Sequence, residues 1–204
     1  MNDHTSICFP VELQYPSAGT SRQPLEGTVR LRRARMEDLP VLTGLIRRAV
    51  CELNAADYSL EQIESALRHG YGADNPRLIL ECTYYVAEIG DEIVGSGGWS
   101  RLKAISPADE ADEADLIDPA EEPAKIRAFF VHPAYARRGI ATRLLRASEK
   151  SARQAGFRQL ELMATRTGEP VYTRFGFEMV ERLDLTLPDG VVFPVARMVK
   201  NIAG

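Results

Sequence analysis

One segment of the chain constrains its fold and its chemistry more than any other: an apolar strand that leads through two arginines and a glycine into an amphipathic helix. The strand Ile126–Val131 ends at His132-Pro133, and the turn Ala136-Arg137-Arg138-Gly139-Ile140-Ala141 opens a helix that reaches about Ala155. The first N–H groups of a helix have no internal partner and lie at the positive end of its dipole. A glycine lets the backbone approach a ligand closely, and arginines add positive charge. The turn therefore predicts a binding site for a phosphate or diphosphate.

The same turn has a second interpretation, because a glycine between a strand and a helix more often only permits the change of chain direction. The turn lacks the Gly-Lys-Ser/Thr ending of a Walker loop and the Gly-x-Gly-x-x-Gly of dinucleotide-binding folds. The common nucleotide-binding folds are therefore disfavoured.

A longer stretch, from Ile126 to Phe177, resembles the GNAT superfamily of N-acetyltransferases. In that family an Arg/Gln-x-x-Gly-x-Gly/Ala turn binds the pyrophosphate of acetyl-CoA, and the turn here is similar except at Ala136, where the family often has Arg or Gln. The segment Tyr172-Thr173-Arg174-Phe175-Gly176-Phe177 is similar to the family's Tyr-x-x-x-Gly-Phe. Thr165 and Gly168 stand where many members have Asn and Ala.

The resemblance implies a role for the residues of both motifs. The strand would supply backbone groups to the pantetheine arm, with the amide of Val131 polarising the thioester carbonyl as an oxyanion hole does. Tyr172 would be the catalytic acid that protonates the departing thiolate, because a tyrosine with an ordinary pKa of about 10 is protonated at neutral pH. A tyrosine that only packs at a helix–strand junction is the alternative. The residues expected to bind the cofactor are Phe129, Phe130, Val131, Arg137, Arg138, Gly139, Ile140, Ala141 and Thr142.

The order of elements predicts one α/β (α+β) domain of GNAT-like fold over residues 28–204, with an extension at residues 1–27 that lacks a core of its own. Its central sheet is expected to be mixed and mostly antiparallel, with about seven strands flanked by about four helices. Strands are predicted at Val29–Ala34, Thr83–Ile89, Glu92–Trp99, Lys125–Val131, Gln159–Ala164, Phe177–Glu181, Leu183–Leu187 and Val191–Lys200. Helices are predicted after Met36-Glu37-Asp38, after Ser59, from about Gly139 to Ala155, and from Glu169-Pro170.

Composition narrows the classes of partner. A formal net charge of −4 gives no basic field of the kind that holds nucleic acid, so no nucleic-acid partner is expected. No apolar run reaches the roughly 18 to 20 residues that span a bilayer, and the N-terminus does not look like a secretory signal, so a cytoplasmic location without a membrane partner is the default. Cys8, Cys51 and Cys82 are widely spaced and show no zinc-ligand pattern, so no metal is expected.

A strongly acidic segment precedes the apolar strand. Between Asp109 and Glu122 lie eight Asp and Glu residues and no basic residue. A solvated loop is the simpler interpretation, and an acidic lip that attracts a cationic amine is the alternative. The family's fold also implies acceptor-side positions for Trp99, Arg101 and the helix around Tyr58.

These features predict an acetyl-CoA-dependent N-acetyltransferase that moves an acetyl group directly from the thioester to a primary amine of a small molecule or peptide. The general base stays unassigned among His132, Glu121 and Glu122. A non-catalytic acyl-CoA-binding sensor module and a transferase that modifies a macromolecule are alternatives, and a homodimer is left open.

Overall fold

The computed structural model describes residues 27–70, 76–103 and 116–203. In these ranges the strands are β1 (Arg30–Arg33), β2 (Tyr84–Ile89), β3 (Glu92–Ser100), β4 (Ala124–Val131), β5 (Gln159–Ala164), β6 (Glu178–Thr186) and β7 (Val192–Asn201). The helices are α1 (Leu39–Leu53), α2 (Leu60–Arg68), α3 (Pro76–Leu80), α4 (Ile140–Gln154) and α5 (Glu169–Arg174). Short 3₁₀ turns at Met36–Asp38 and Pro133–Tyr135 precede α1 and α4.

The seven strands form one mixed sheet in the order β1-β2-β3-β4-β5-β7-β6. Neighbouring strands are antiparallel except for β4 and β5, which are parallel. A parallel pair needs a crossover connection, and α4 supplies it. The predicted fold class, a mixed and mostly antiparallel sheet flanked by helices, is confirmed.

Helices cover both faces of the sheet. Side chains alternate between the faces along each strand, so one strand contributes residues to the core on each side. On β5, Leu162 belongs to the core cluster that contains Leu145 of α4, whereas Met163 packs against the cluster that contains Ile46 of α1. The α4 side chain of Leu145 is fully buried, so we expect its replacement by alanine to cost about 2–5 kcal/mol. A cleft between β4 and β5 is lined by residues from both faces, among them Leu162 and Met163.

The start of α2 follows its sequence prediction. The Ser59 hydroxyl accepts a hydrogen bond from the Gln62 N–H at 3.2 Å, and the Gln62 side-chain oxygen accepts one from the Ser59 N–H at 3.0 Å. This reciprocal pair satisfies two N–H groups that the first turn leaves without helical partners. The predicted capping box is confirmed.

Two features of the fold differ from the sequence predictions. The strands predicted at 177–181 and 183–187 form the single strand β6, whose register against β7 shifts between Met179 and Glu181. A bulge inserts one extra residue, so the alternation of apolar and polar residues changes phase at that point. The sequence pattern then resembles two short strands instead of one. The short helix α3 was not predicted, since five residues are too few for a helical period to stand out.

Residues 1–26 and 104–115 lie outside the described residues, so the N-terminal extension and most of the acidic segment stay predictions. Within the described ranges, no helix combines the length and the apolar character needed to cross a bilayer.

Candidate active site

A cleft opens where β4 and β5 separate. Ala124 pairs with Leu160 and Lys125 pairs with Glu161, and the ladder between the two strands is confined to these residues. β4 continues for six further residues to Val131. The gap forms a cleft of about 620 Å³, with walls from β4, β5, the end of α1, the start of α4 and α5.

The strand β4 carries a bulge at Ala128. Its register against β3 shifts between Ser96 and Gly98, so that Gly97 lies opposite two residues of β4. Ala128 adopts a φ of 56°, a left-handed conformation that costs a residue with a Cβ roughly 1–2 kcal/mol. The Tyr84 hydroxyl donates a hydrogen bond to the Ala128 carbonyl at 3.3 Å. The bulge changes which backbone groups beyond it point toward β5.

The amide of Val131 points into the gap. The N–H of His132 donates to the carbonyl of Val94 on β3 at 2.9 Å. Because backbone N–H groups alternate in direction along a strand, the N–H of Val131 points away from β3 and toward β5. It lies well beyond Lys125, the last β4 residue paired with β5.

The helix α4 begins at the rim of the cleft without a side-chain cap. Gly139 is its N-cap residue, with φ of 76°, and a Cβ added there would have no atom within 4 Å. The Arg143 N–H donates a hydrogen bond to the Gly139 carbonyl at 3.1 Å, in the first turn of the helix. Residues 140–142 line the cleft, and their N–H groups are among those that the first turn of a helix leaves without helical partners. This helix end can accept an anion.

The two arginines of the turn differ in position. Arg137 lines the cleft and adopts a φ of 67°. The guanidinium of Arg138 lies 5.4 Å from the centre of the Tyr135 ring, in cation–π contact, and Arg138 is not part of the cleft lining. Only the first of the pair therefore borders the cleft directly.

Tyr172 lines the cleft from α5. Its ring packs edge-on against Phe129 of β4, with ring centres 6.4 Å apart, and against Phe177 at 5.8 Å. A Cβ added to Gly168 would lie 3.0 Å from the Tyr172 ring, so the glycine leaves space for the ring. The Gly168 N–H donates to the Thr165 hydroxyl at 3.2 Å, which orders the turn before α5. The tyrosine is held by packing on both sides of its ring.

A chain of ion pairs lies at the closed end of the cleft. Glu161 of β5 is buried and accepts hydrogen bonds from Lys125 at 2.6 Å and from Arg197 at 3.2 Å. Arg197 also contacts Glu181 at 2.6 Å. Glu161 lines the cleft, but it is engaged by two cations and is a poor candidate for a general base.

Two other polar side chains line the same part of the cleft. One guanidinium nitrogen of Arg127 donates to the carbonyl of Leu102 at 3.0 Å. Asn54, at the end of α1, is 9% exposed, and its backbone carbonyl accepts the N–H groups of Asp57 and Tyr58 at 3.0 Å. Both residues lie on the α1 side of the sheet.

His132 lies outside the cleft lining. Its ring nitrogen Nε2 is 3.0 Å from a guanidinium nitrogen of Arg48, and Nδ1 accepts a hydrogen bond from the Ala134 N–H at 3.2 Å. Burial lowers the pKa of His132, and the positive charge of Arg48 lowers it further. The imidazole is therefore neutral at neutral pH.

A family model described as the acetyltransferase (GNAT) family matches residues 48–177. The match covers more than half of the 204 residues and includes both walls of the β4–β5 gap and the start of α4. The chain belongs to the GNAT acetyltransferase family. It is accordingly an acyltransferase. No curated protein sequence matches this GNAT chain.

Solved structures share the GNAT fold with this chain. A GCN5-related N-acetyltransferase from Rhodopseudomonas palustris is 22% identical with a TM-score of 0.65, over 88% of this chain and 99% of that one. The PaiA N-acetyltransferase from Thermoplasma acidophilum, in complex with coenzyme A, is 19% identical with a TM-score of 0.60, over 85% and 99%. N-acetylglutamate synthase from Neisseria gonorrhoeae, complexed with coenzyme A and N-acetyl-glutamate, is 18% identical with a TM-score of 0.54, over 88% of this chain and 36% of that one. At these identities the likeness concerns the fold.

The sequence-predicted site residues meet in one cleft, apart from Arg138. The predicted residues among its lining are Phe129, Phe130, Val131, Arg137, Gly139, Ile140, Ala141, Thr142 and Tyr172. The sequence reasoning missed Asn54, Arg127 and Glu161. For Arg127 a signal was present, because Lys125 and Arg127 alternate with apolar residues on a strand read as wholly buried.

Two acceptor-side expectations need correction. Trp99 is 1% exposed and packs edge-on against Phe157 in the core beneath α4, with ring centres 5.4 Å apart. It belongs to the opposite face of the sheet from Arg127, because β3 places it beside the core residue Ile126. Arg101 is exposed and is not among the cleft lining.

Proposed function

We propose that this GNAT chain transfers the acetyl group of acetyl-CoA directly to a primary amine of a small molecule or peptide. One observation supports this most: a single cleft is lined by the first turn of α4, by the outward-pointing amide of Val131 and by Tyr172. These are an anion-binding end, a donor for a carbonyl oxygen and a proton source. Coenzyme A complexes among the structural neighbours are consistent with this donor.

The diphosphate of acetyl-CoA would bind at residues 139–142. The open space beside Gly139 lets phosphate oxygens reach the N–H groups of the first helical turn, and Arg137 adds a positive charge at the same rim. Arg138 would contribute long-range attraction from beside Tyr135. When bound, acetyl-CoA supplies an activated acetyl group as a thioester.

The backbone and one side chain would perform the chemistry. The Val131 N–H donates to the carbonyl oxygen and stabilises the negative charge that forms when the amine nitrogen attacks the carbonyl carbon. As the carbon–sulfur bond breaks, the Tyr172 hydroxyl gives its proton to the sulfur. Such acid assistance is typically worth roughly 10²- to 10⁴-fold in rate.

A general base is not required if the amine enters uncharged. Glu161 is paired with Lys125 and Arg197, and His132 faces Arg48 outside the cleft. Glu122 contacts Lys103 at 3.1 Å rather than a cleft residue. The nitrogen would therefore lose its surplus proton to solvent as the amide forms, and the Tyr172 phenolate would take up a proton from solvent in return. The rate would rise with pH as the free amine forms.

Turnover tests the proposal. Release of the free thiol of coenzyme A is followed with a panel of amines, for the native chain and for Tyr172→Phe, and acetyl-CoA affinity is measured in parallel by calorimetry. Transfer that falls by about 10²-fold or more in the variant, with unchanged affinity, supports the enzyme. Tight acetyl-CoA binding without thiol release on any amine would instead identify a sensor module. A homodimer and a cytoplasmic location stay predictions.

A further inference from the structure

The connection between α1 and α2 is hydrogen-bonded to the turn between β5 and α5. The Arg166 N–H donates to the hydroxyl oxygen of Tyr58 at 2.9 Å. The Thr167 hydroxyl donates to a carboxylate oxygen of Asp57 at 2.7 Å. Residues of both segments line the cleft. These two bonds therefore join one wall of the cleft to the other, across segments that are distant in the sequence.

The phenol group of Tyr58 is anchored in the protein interior. Tyr58 is 5% exposed, and its ring stacks on Phe193 of β7, with ring centres 4.4 Å apart and 14° between the ring planes. Its hydroxyl donates to the carbonyl of Pro194 at 2.6 Å while the same oxygen accepts the Arg166 N–H. Burial raises the pKa of Tyr58, so the hydroxyl keeps its proton at neutral pH. The hydroxyl thus ties the β5–α5 turn to a fixed point on the sheet.

The turn that Tyr58 holds leads directly into the helix that carries Tyr172. The Thr165 carbonyl accepts the N–H groups of Gly168 and Glu169 at 2.9 and 3.0 Å. The Gly168 carbonyl in turn accepts the Tyr172 N–H at 3.3 Å. A helix as short as α5, with six residues, is not stable alone, so its position depends on the turn before it and on packing. A shift of the turn therefore moves the Tyr172 ring.

Tyr58 is not among the described residues that line the cleft, so it acts on the reaction through the groups that it holds. We propose that Tyr58 is a positioning residue, whose hydrogen bond from Arg166 fixes the β5–α5 turn so that Tyr172 reaches the sulfur of acetyl-CoA. This step rests on the proposed N-acetyltransfer. A displacement of about 1 Å at a reacting group can cost about 100-fold in rate. The bond between Asp57 and Thr167 is exposed to competing water, so the more buried Tyr58 bond provides most of the restraint.

Tyr58→Phe tests the proposal, because it removes the hydroxyl and keeps the ring that stacks on Phe193. With the best amine of the panel, we expect kcat to fall by about 10- to 100-fold. The Kd of acetyl-CoA should not change, because no cofactor-binding group is altered. A native kcat in Tyr58→Phe would overturn the proposal.

Ser65→Ala is the matched control for stability. Ser65 of α2 is buried, and its hydroxyl donates to the Asp189 carboxylate in the β6–β7 turn at 2.7 Å. Both variants remove a hydroxyl from a buried residue and should lower the Tm by comparable amounts, roughly 2–12 °C. Neither Ser65 nor Asp189 belongs to the described cleft lining, so Ser65→Ala should keep the native kcat. An equal loss of kcat in both variants would attribute the effect to general destabilisation and overturn the proposal.

A double-mutant cycle shows whether Tyr58 acts through Tyr172. Tyr172→Phe has no hydroxyl to position, so adding Tyr58→Phe to it should lower kcat further by less than about 3-fold. Equal factors in the native and Tyr172→Phe backgrounds would show that Tyr58 does not act through Tyr172, which would overturn the proposal.

Hydrogen exchange separates failure of this proposal from failure of the proposed function. It is measured for the backbone amides of residues 165–172 in the free protein, and it requires no turnover. In Tyr58→Phe the Arg166 amide loses its acceptor and should exchange about 10-fold faster or more, an increase that Ser65→Ala should not show. This result supports the restraint on the turn even if no amine is acetylated, in which case the transfer function alone fails. Exchange of the turn at the native rate in Tyr58→Phe would overturn the proposal whatever the turnover result.

Discussion

Replacing Gly139 by alanine separates backbone strain from ligand binding. The residue has φ of 76°, and Gly190 in the β6–β7 turn has φ of 85°; at both positions a Cβ would meet nothing within 4 Å. A left-handed alanine costs roughly 1–2 kcal/mol, and each kcal/mol lowers the Tm of a chain of this size by about 2–4 °C. Gly139→Ala and Gly190→Ala should therefore lose similar stability, about 2–8 °C in Tm.

Their effects on the coenzyme should differ. At Gly139 the Cβ would project into the space where we place the diphosphate, and weakening one charge-assisted hydrogen bond costs about 1.5–3 kcal/mol. This corresponds to roughly 10- to 150-fold weaker acetyl-CoA binding. Gly190 lies in a turn outside the cleft lining, so Gly190→Ala should bind acetyl-CoA as the native chain does.

Calorimetric titration of acetyl-CoA into the native chain and both variants measures the three values of Kd, with a thermal melt of each protein to confirm folding. If both variants bind acetyl-CoA like the native chain, the diphosphate does not lie against this helix end. Loss of binding in Gly190→Ala as well would attribute the effect to strain rather than to contact.

Three further perturbations probe catalysis and stability. Gly168→Ala places a Cβ 3.0 Å from the Tyr172 ring and should displace the ring, so kcat should fall by up to about 100-fold at unchanged acetyl-CoA affinity. Native steady-state rates would contradict this placement of the ring. Ser96 is fully buried, and its hydroxyl has no hydrogen-bond partner among the described residues. Urea titrations of Ser96→Ala should therefore give an unchanged or higher free energy of unfolding, and a loss of more than about 1 kcal/mol would reveal an unrecognised partner. A hydrogen bond from Arg32 lowers the pKa of Asp38 in the folded state, so this carboxylate stabilises the fold above its unfolded pKa of about 4 and the contribution disappears as pH falls through the lower folded value. Urea titrations between about pH 2 and 5, which include the range below the unfolded pKa, should show a shallower acid loss in Asp38→Asn than in the native chain, and parallel profiles would contradict it.

The sequence predicted the elements whose signals are local. The turn before α4 was recognisable because a glycine and two arginines stand between an apolar strand and an amphipathic helix. The capping box at Ser59 likewise depends on only four consecutive residues. The lining of the cleft by residues 137 and 139–142 follows from the same local order.

The missed features depend on contacts between distant residues. The bulge at Ala128 forms where Gly97 of β3 lies opposite two residues of β4 and leaves room for the Phe129 ring, which a Cβ on Gly97 would meet at 2.7 Å. No local signal in β4 marks it. In the sequence, Glu161 is a single charged residue on an apolar strand. It becomes part of the cleft wall because the sheet places Lys125 of β4 and Arg197 of β7 beside it. Trp99 was misplaced because its face of the sheet depends on strand register, which a sequence pattern fixes poorly.

A crystal structure of the protein with bound coenzyme A tests the central claim most directly. We expect diphosphate oxygens within about 3 Å of the N–H groups of residues 140–142, and the sulfur in the gap between β4 and β5, near the Val131 amide and the Tyr172 hydroxyl. Coenzyme A bound at another surface, with the β4–β5 gap filled by the protein's own side chains, would contradict the account.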